Sequence, residues 1–244
     1  MKNTIIAMWS GPRNLSTAMM RSFENRDDTV VIDEPFYAHY LHKTGIDHPG
    51  KDLVIKYQST DWDEVIDICL CANKSVNMPI FYQKHMAQHN LEGSDISWIK
   101  DVKNCLLIRD PKYVIASYNK QFSLNDEKLL GYSQQKKIMD YLNEINGEAP
   151  IIVDASDIVK NPKNMLKKLC FNLGIDFSKK MLDWPKGGRS SDGVWAPYWY
   201  KQVEETTTFI PFKKKDIQLN DNLLSIYNNC LDVYLEMYDK RLEP

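Results

Sequence analysis

The chain has 244 residues, 43% of them apolar, and a formal net charge of −2. That length and apolar content support one large α/β domain with a substantial core, and the slight acidity argues against a general nucleic-acid binder, which carries a basic excess. No apolar stretch reaches the length of a membrane span, and the five cysteines, set mostly in apolar runs (Cys105, Cys170, Cys230), read as reduced core residues.

The N-terminus carries one lysine and then a six-residue strand-like run without a small-residue cleavage site, so the expectation is a cytoplasmic protein with no signal peptide. That first run, Thr4–Trp9, leads into Ser10-Gly11-Pro12-Arg13-Asn14-Leu15-Ser16-Thr17 and then an apolar helical pattern from Ser16 to Glu24. An apolar strand, a Gly-Pro punctuation and hydroxyl residues opening a helix are the layout of an anion site. Backbone N–H groups at the helix start point at the ligand, and the helix dipole favours negative charge there. Arg13 adds a fixed cation.

Further strand-like runs follow at Thr29–Ile32, Met78–Tyr82, Cys105–Ile108 and Pro150–Val153, with helical patterns between them, as at Trp62–Leu70 and Pro111–Gln121. Leu130, Ile138, Tyr141, Leu142 and Ile145 share a helical face before the fifth run. Strands alternating with helices predict a three-layer α/β/α arrangement around a mainly parallel sheet of about five strands. Beyond the last strand, Asn161 is a predicted N-cap, Pro162 a first-turn residue and Gly174 a helix stop. From Lys186 to Phe209 no period emerges, and the aromatics of Trp195–Tyr200 suggest a pocket wall. A long amphipathic stripe from Leu219 to Tyr238 predicts a final helix packed on the sheet. The expected organisation is one domain over residues 1–244, with a nucleotide-binding core over 1–175 and a C-terminal loop and helix over 176–244.

Loops at the C-terminal ends of parallel strands build ligand sites, which draws attention to Arg109 through Ser117. An arginine leaves the fourth run and a serine follows eight positions on, in the next helix. Together they can grip a second phosphate, the guanidinium as a bidentate clamp and the hydroxyl as a donor. A plain Arg109–Asp110 pair and a small packing serine remain the alternative.

With both anchors, the sequence resembles the sulfotransferase family that uses 3′-phosphoadenosine-5′-phosphosulfate (PAPS). In that family a Pro-Lys/Arg-x-x-Ser/Thr-Thr loop binds the 5′-phosphosulfate, which Pro12-Arg13-Asn14-Leu15-Ser16-Thr17 matches. An arginine and a serine at the spacing of Arg109 and Ser117 bind the 3′-phosphate, and Asp154 through Ile175 is similar to the family's acidic turn, Asn-Pro helix and Leu-Gly-Ile ending. The resemblance implies a P-loop nucleoside triphosphate hydrolase-like fold, PAPS or its product PAP as co-substrate, no metal, and Gly11 to Thr17, Arg109 and Ser117 as binding residues. It also makes Lys186-Gly187-Gly188-Arg189 the candidate for a basic loop on the 3′-phosphate. Leu15 stands where many members have glycine, and Arg13 where lysine is commoner. A guanidinium is the poorer proton donor, so Lys84 is the expected proton source for the leaving phosphate.

Two base candidates emerge. Glu34 follows the second run, with Asp33 expected to cap the helix after Pro35. His85, next to Lys84, lies near the family's histidine base. His85 and His89, four apart, would share a helix face, but the further ligands of a metal site are missing. His39 and His42 read as an exposed helix face. The leading expectation is sulfuryl transfer to a hydroxyl or amine of a small acceptor, with neither nucleic acid nor membrane as partner. The alternatives are an inactive PAP-binding module, and a P-loop kinase, which the absence of Gly-Lys-Ser/Thr in the first loop disfavours.

Overall fold

A computed structural model describes residues 3–76, 78–212 and 216–244. Its elements run β1 (Thr4–Ser10), α1 (Ser16–Glu24), β2 (Thr29–Asp33), α2 (Tyr37–Thr44), α3 (Lys51–Tyr57), α4 (Trp62–Val76), β3 (Ile80–Met86), β4 (Lys103–Ile108), α5 (Pro111–Tyr118), α6 (Tyr132–Asn146), β5 (Ile151–Asp154), α7 (Ala155–Lys160), α8 (Pro162–Leu173), α9 (Ala196–Trp199), α10 (Lys201–Glu204) and α11 (Asp221–Asp239). The five strands form one parallel sheet in the order β2-β3-β1-β4-β5.

Strand alternation sorts the core into two layers. Ala7 and Trp9 of β1 and Leu106 and Ile108 of β4 face a layer that holds α4, α5, α6 and α11. Ile6, Met8, Cys105 and Leu107 face the opposite layer, which holds α1, α7 and α8. Helices on both faces explain why the central strands read as near-continuous apolar runs. A third cluster joins α2 and α3 to Trp195, Ala196 and Tyr200.

Helix starts follow from capping chemistry. Asp110 accepts a hydrogen bond from the N–H of Lys112 at 2.8 Å, with Pro111 in the first turn. Asp154 caps α7 by accepting from Ser156, and Asn161 caps α8, which stops at left-handed Gly174. Gly11 is required by proximity, because a Cβ there would overlap the carbonyl oxygen of Leu130.

The third strand departs from the predicted Met78–Tyr82. It runs on through Gln83, Lys84, His85 and Met86, all buried. Polar residues tolerate that burial because each finds a partner. Gln83 donates to the Cys69 carbonyl and also pairs with the His85 ring at 2.9 Å. The helix expected after Pro35 is α2, whereas α3, α9 and α10 have no counterpart among the predicted elements. His39, expected on an exposed face, is buried, with Nδ1 2.8 Å from the Thr60 carbonyl oxygen.

Strands β1 and β4 are neighbours, yet α1 leaves toward one face and α5 toward the other. A crevice at the carboxyl ends of the strands is the result, and open parallel sheets bind ligands there.

Candidate active site

A cavity of about 900 Å³ opens at this crevice. Pro12 to Ala18, Arg109 and Ser117 line one half of it. Glu34, Tyr37, Tyr40, Lys84, His89 and Trp195 line the other.

The first half is built by the loop after β1. Asn14 anchors it, donating to the Leu107 carbonyl at 2.6 Å. Arg109 donates to the Arg13 carbonyl at 2.8 Å, and Arg13 Nε donates to Ser117 Oγ at 3.0 Å. The two predicted anchors therefore meet. Arg13 and Leu15 are left-handed, with φ of 59° and 62°, and Leu15 is the residue before α1, offering no side-chain cap. Without a cap, the first-turn N–H groups of Ser16 and Thr17 are available to an anion. Arg109 stacks on Phe212, 3.8 Å from its ring centre, and its buried Nε has no partner. A guanidinium with an unspent donor, an uncapped helix start and a second guanidinium fit phosphate groups.

The second half is organised by a buried lysine. Lys84 donates to Asp33 Oδ1 at 2.9 Å, to Tyr200 OH at 2.7 Å and to Glu34 Oε1. These use all three donors of an ammonium. Tyr200 donates in turn to Asp33 Oδ2 at 2.6 Å and accepts from Trp195 Nε1 at 3.1 Å. Burial opposes the charge on Lys84, but Asp33 and Glu34 outweigh it and raise its pKa. Burial raises the pKa of Glu34, assisted by the Asp33 charge and opposed by Lys84. With all three donors engaged, Lys84 sits between the two carboxylates and presents no free N–H to the cavity. Glu34 is itself left-handed at φ 43°. All the non-glycine residues of positive φ among the described residues, Arg13, Leu15 and Glu34, thus line this one cavity. Such backbone strain, about 1–2 kcal/mol per residue, gathers where function holds it.

Several expectations need correction. Asp33 does not cap α2, whose N-cap is Phe36; it is committed to Lys84 and Tyr200. His85 points away from the cavity. Its ring stacks on Trp9 with centroids 4.1 Å apart, and burial together with the Lys84 charge lowers its pKa to about 3. His85 and His89 share no helix, because the strand ends at Met86 and a 3₁₀ turn spans Ala87–His89. Lys186, Gly187 and Arg189 do not reach the cavity either. Lys186 pairs with Glu205 at 2.6 Å, and Arg189 folds back on the carbonyls of Pro185, Gly187 and Gly188. Phe212 lies against Arg109 instead, and Ile210, Pro211 and Asp216 to Leu219 line the cavity with it.

His89 was weighed only as a metal ligand. It is buried and stacked on Tyr37 and Tyr40, with Nε2 4.0 Å from Glu34 Oε2 and Nδ1 unpartnered. Tyr37 OH pairs with His48 Nδ1 at 2.8 Å. Gln202 reaches over from α10 to Arg13 at 3.4 Å. A cluster of aromatics was visible in the sequence at Trp195–Tyr200, but nothing there indicated that Tyr200 meets a lysine 116 positions earlier.

Comparison with known proteins gives the family and the fold. A family model described as a sulfotransferase domain matches residues 3–235. Two Arabidopsis thaliana proteins, named Branched-chain-amino-acid aminotransferase-like protein 1 and 2, are 36% and 33% identical over 210 and 231 residues. The matches cover 86% and 94% of this chain but only 37% and 40% of those proteins, so the chain spans well under half their length. Among solved structures, the sulfotransferase domain from the Synechococcus PCC 7002 olefin synthase superposes with a TM-score of 0.61 at 16% identity, covering 94% of this chain and 95% of that one. The sulfotransferase domain from the curacin biosynthetic pathway gives 0.60 at 15%, covering 93% and 97%. At those identities the likeness is one of fold. By the family match over nearly its whole length, the chain belongs to the sulfotransferase domain family.

Proposed function

We propose that the protein moves a sulfuryl group from PAPS to a hydroxyl or amine of a small acceptor, with Glu34 as the base. The observation that carries this reading is Glu34 itself: a strained, buried carboxylate that shares one cavity with the uncapped helix start and Arg109. When bound, PAPS supplies an activated sulfuryl group on a phosphate leaving group. Arg13, the Ser16 and Thr17 N–H groups and their hydroxyls hold the 5′ end, and Arg109 and Ser117 hold the 3′-phosphate. Sulfuryl transfer resembles phosphoryl transfer in spreading charge over peripheral oxygens, so these donors do most of their work by position. Glu34 Oε1 is fixed by Lys84, which leaves Oε2 to take the acceptor proton. Its raised pKa brings its basicity closer to that of the group it deprotonates.

Calorimetry with PAP in EDTA, followed by PAP release from PAPS with pooled hydroxyl and amine acceptors, tests the reading. Magnesium-independent PAP binding and acceptor-dependent release are expected. Binding of ATP only with magnesium would point to a kinase instead. The second reading, a PAP-binding module without turnover, is favoured by one observation: Arg13 turns to Ser117, and Lys84 has no free donor for a leaving phosphate.

A further inference from the structure

The half of the cavity away from Arg109 has an electrostatic character of its own. Its buried cation is spent, because Lys84 gives its three donors to Asp33, Glu34 and Tyr200. Two carboxylates face that one ammonium, leaving an excess negative charge at the wall. At the other end Arg13 bonds Ser117 and Gln202, and Arg109 bonds the Arg13 carbonyl and stacks on Phe212 with its Nε unpartnered. His89, 3% exposed, is held neutral, since burial and the nearby Lys84 charge put its pKa well below the ordinary value. The residue lines the cavity, and its buried Nδ1 has no partner. The remaining wall is aromatic: Tyr37, Tyr40, Trp195 and Trp199.

We propose that the acceptor is a small cationic alcohol, a hydroxyl group carried on an ammonium-bearing carbon skeleton, and that this half of the cavity selects it by charge. The proposal rests on the sulfotransferase reading and narrows it. Glu34 and Asp33 supply the negative potential, and aromatic faces attract a cation that has left water. An anionic hydroxy acid would meet Glu34 with no free buried cation among the described residues to balance it. The charge also fixes which atom reacts. A protonated or quaternary nitrogen has no lone pair, so the nucleophile is the hydroxyl oxygen. The bond from sulfur to the PAPS 5′-phosphate oxygen breaks, with its electron pair leaving on PAP. The bond from sulfur to the acceptor oxygen forms, and the hydroxyl proton passes to Glu34 Oε2.

The test compares choline with its neutral isostere 3,3-dimethylbutan-1-ol, with lactate and phenol as further arms. Each is titrated into the PAP-loaded protein, and complex formation is read from the fluorescence of Trp195 and Trp199. PAP release from PAPS with the same four compounds follows. Choline is expected to bind at least about tenfold more tightly than the isostere, which is the size of a desolvated cation–aromatic contact plus one carboxylate. In Glu34→Gln that ratio should shrink to about threefold or less. Equal or tighter binding of the isostere, a preference for lactate or phenol, or no binding of any of the four overturns the proposal. If PAP itself fails to bind, the sulfotransferase reading falls, and the same choline and isostere titration in the unloaded protein still decides the charge selection.

Discussion

The two halves of the cavity are built in different ways. The half around Arg13 and Arg109 comes from two short continuous stretches, 11–17 and 109–117, each at the end of a central strand. It presents backbone N–H groups and always-charged guanidinium groups, which need little help from the rest of the chain to suit an anion. The half around Glu34 is assembled from three distant segments and depends on buried groups whose charge each neighbour sets. The first is a preformed cradle. The second is a network in which one substitution changes several charges.

Substitutions separate the two halves most sharply at Glu34. Glu34→Gln should lower transfer by about 100- to 10,000-fold, the usual contribution of a positioned base, while PAP affinity from calorimetry stays the same. In the wild type, kcat/KM should fall as pH drops through a limb lying above the ordinary carboxylate value, because the Glu34 pKa is raised. Normal turnover in the variant would remove Glu34 as base. Next in size is Lys84→Met, which leaves Asp33 and Glu34 buried without their cation. Urea denaturation should register a loss of about 3–5 kcal/mol; a loss under about 1 kcal/mol would mean that the carboxylates take up protons at no cost.

Acid strains the buried histidines at and just beyond the end of β3. His85 and His89 have lowered pKa values in the folded protein, near 3 for His85. Below about 6.5 the unfolded chain binds protons that the folded chain refuses, so their contribution is complete above that value and is lost as pH falls. Each should remove about 1.4 kcal/mol of stability per pH unit, read as a declining urea midpoint between pH 6.5 and 5. His85→Phe and His89→Phe should flatten that decline; an unchanged slope would exclude them as its source.

Arg109→Ala acts on the cradle. It should cost about 1.5–3 kcal/mol of PAP affinity, the loss of charge-assisted bonds, and much less for an analogue without the 3′-phosphate. Equal losses would take Arg109 off that phosphate. The smallest effect is expected at Leu15→Gly. Relief of a left-handed leucine, about 1–2 kcal/mol, opposes the lost packing against the second core layer and the added chain entropy. Net stability should change by about 1 kcal/mol or less, and a larger loss would show that packing holds the loop.

The same division explains what could be read in advance. The layered fold follows from apolar runs that alternate with amphipathic helices, and the cradle follows from residues consecutive in sequence. The end of β3 was misread because Gln83, Lys84 and His85 look like a loop in any hydropathy pattern, while their partners lie in other elements. Asp33 was assigned to a cap because local capping is the commonest use of an acid before a helix; its tie to Tyr200 spans 167 positions. The basic loop was sought at Lys186–Arg189 by composition alone. There, Asp192 accepts from the Arg189 N–H at 2.8 Å and pairs with buried Arg21 at 2.6 Å, which fixes the segment away from the cavity.

The strap that carries Tyr200 is drawn tight. Gly193 lies so close to the Trp195 ring that a Cβ would overlap it, and its N–H reaches Asp33 at 3.2 Å. During synthesis β3 leaves the ribosome more than a hundred residues ahead of Tyr200. Lys84 cannot complete its set of partners until the strap arrives. A nascent chain that ends before Tyr200 therefore holds Lys84 between Asp33 and Glu34 with its third donor unplaced.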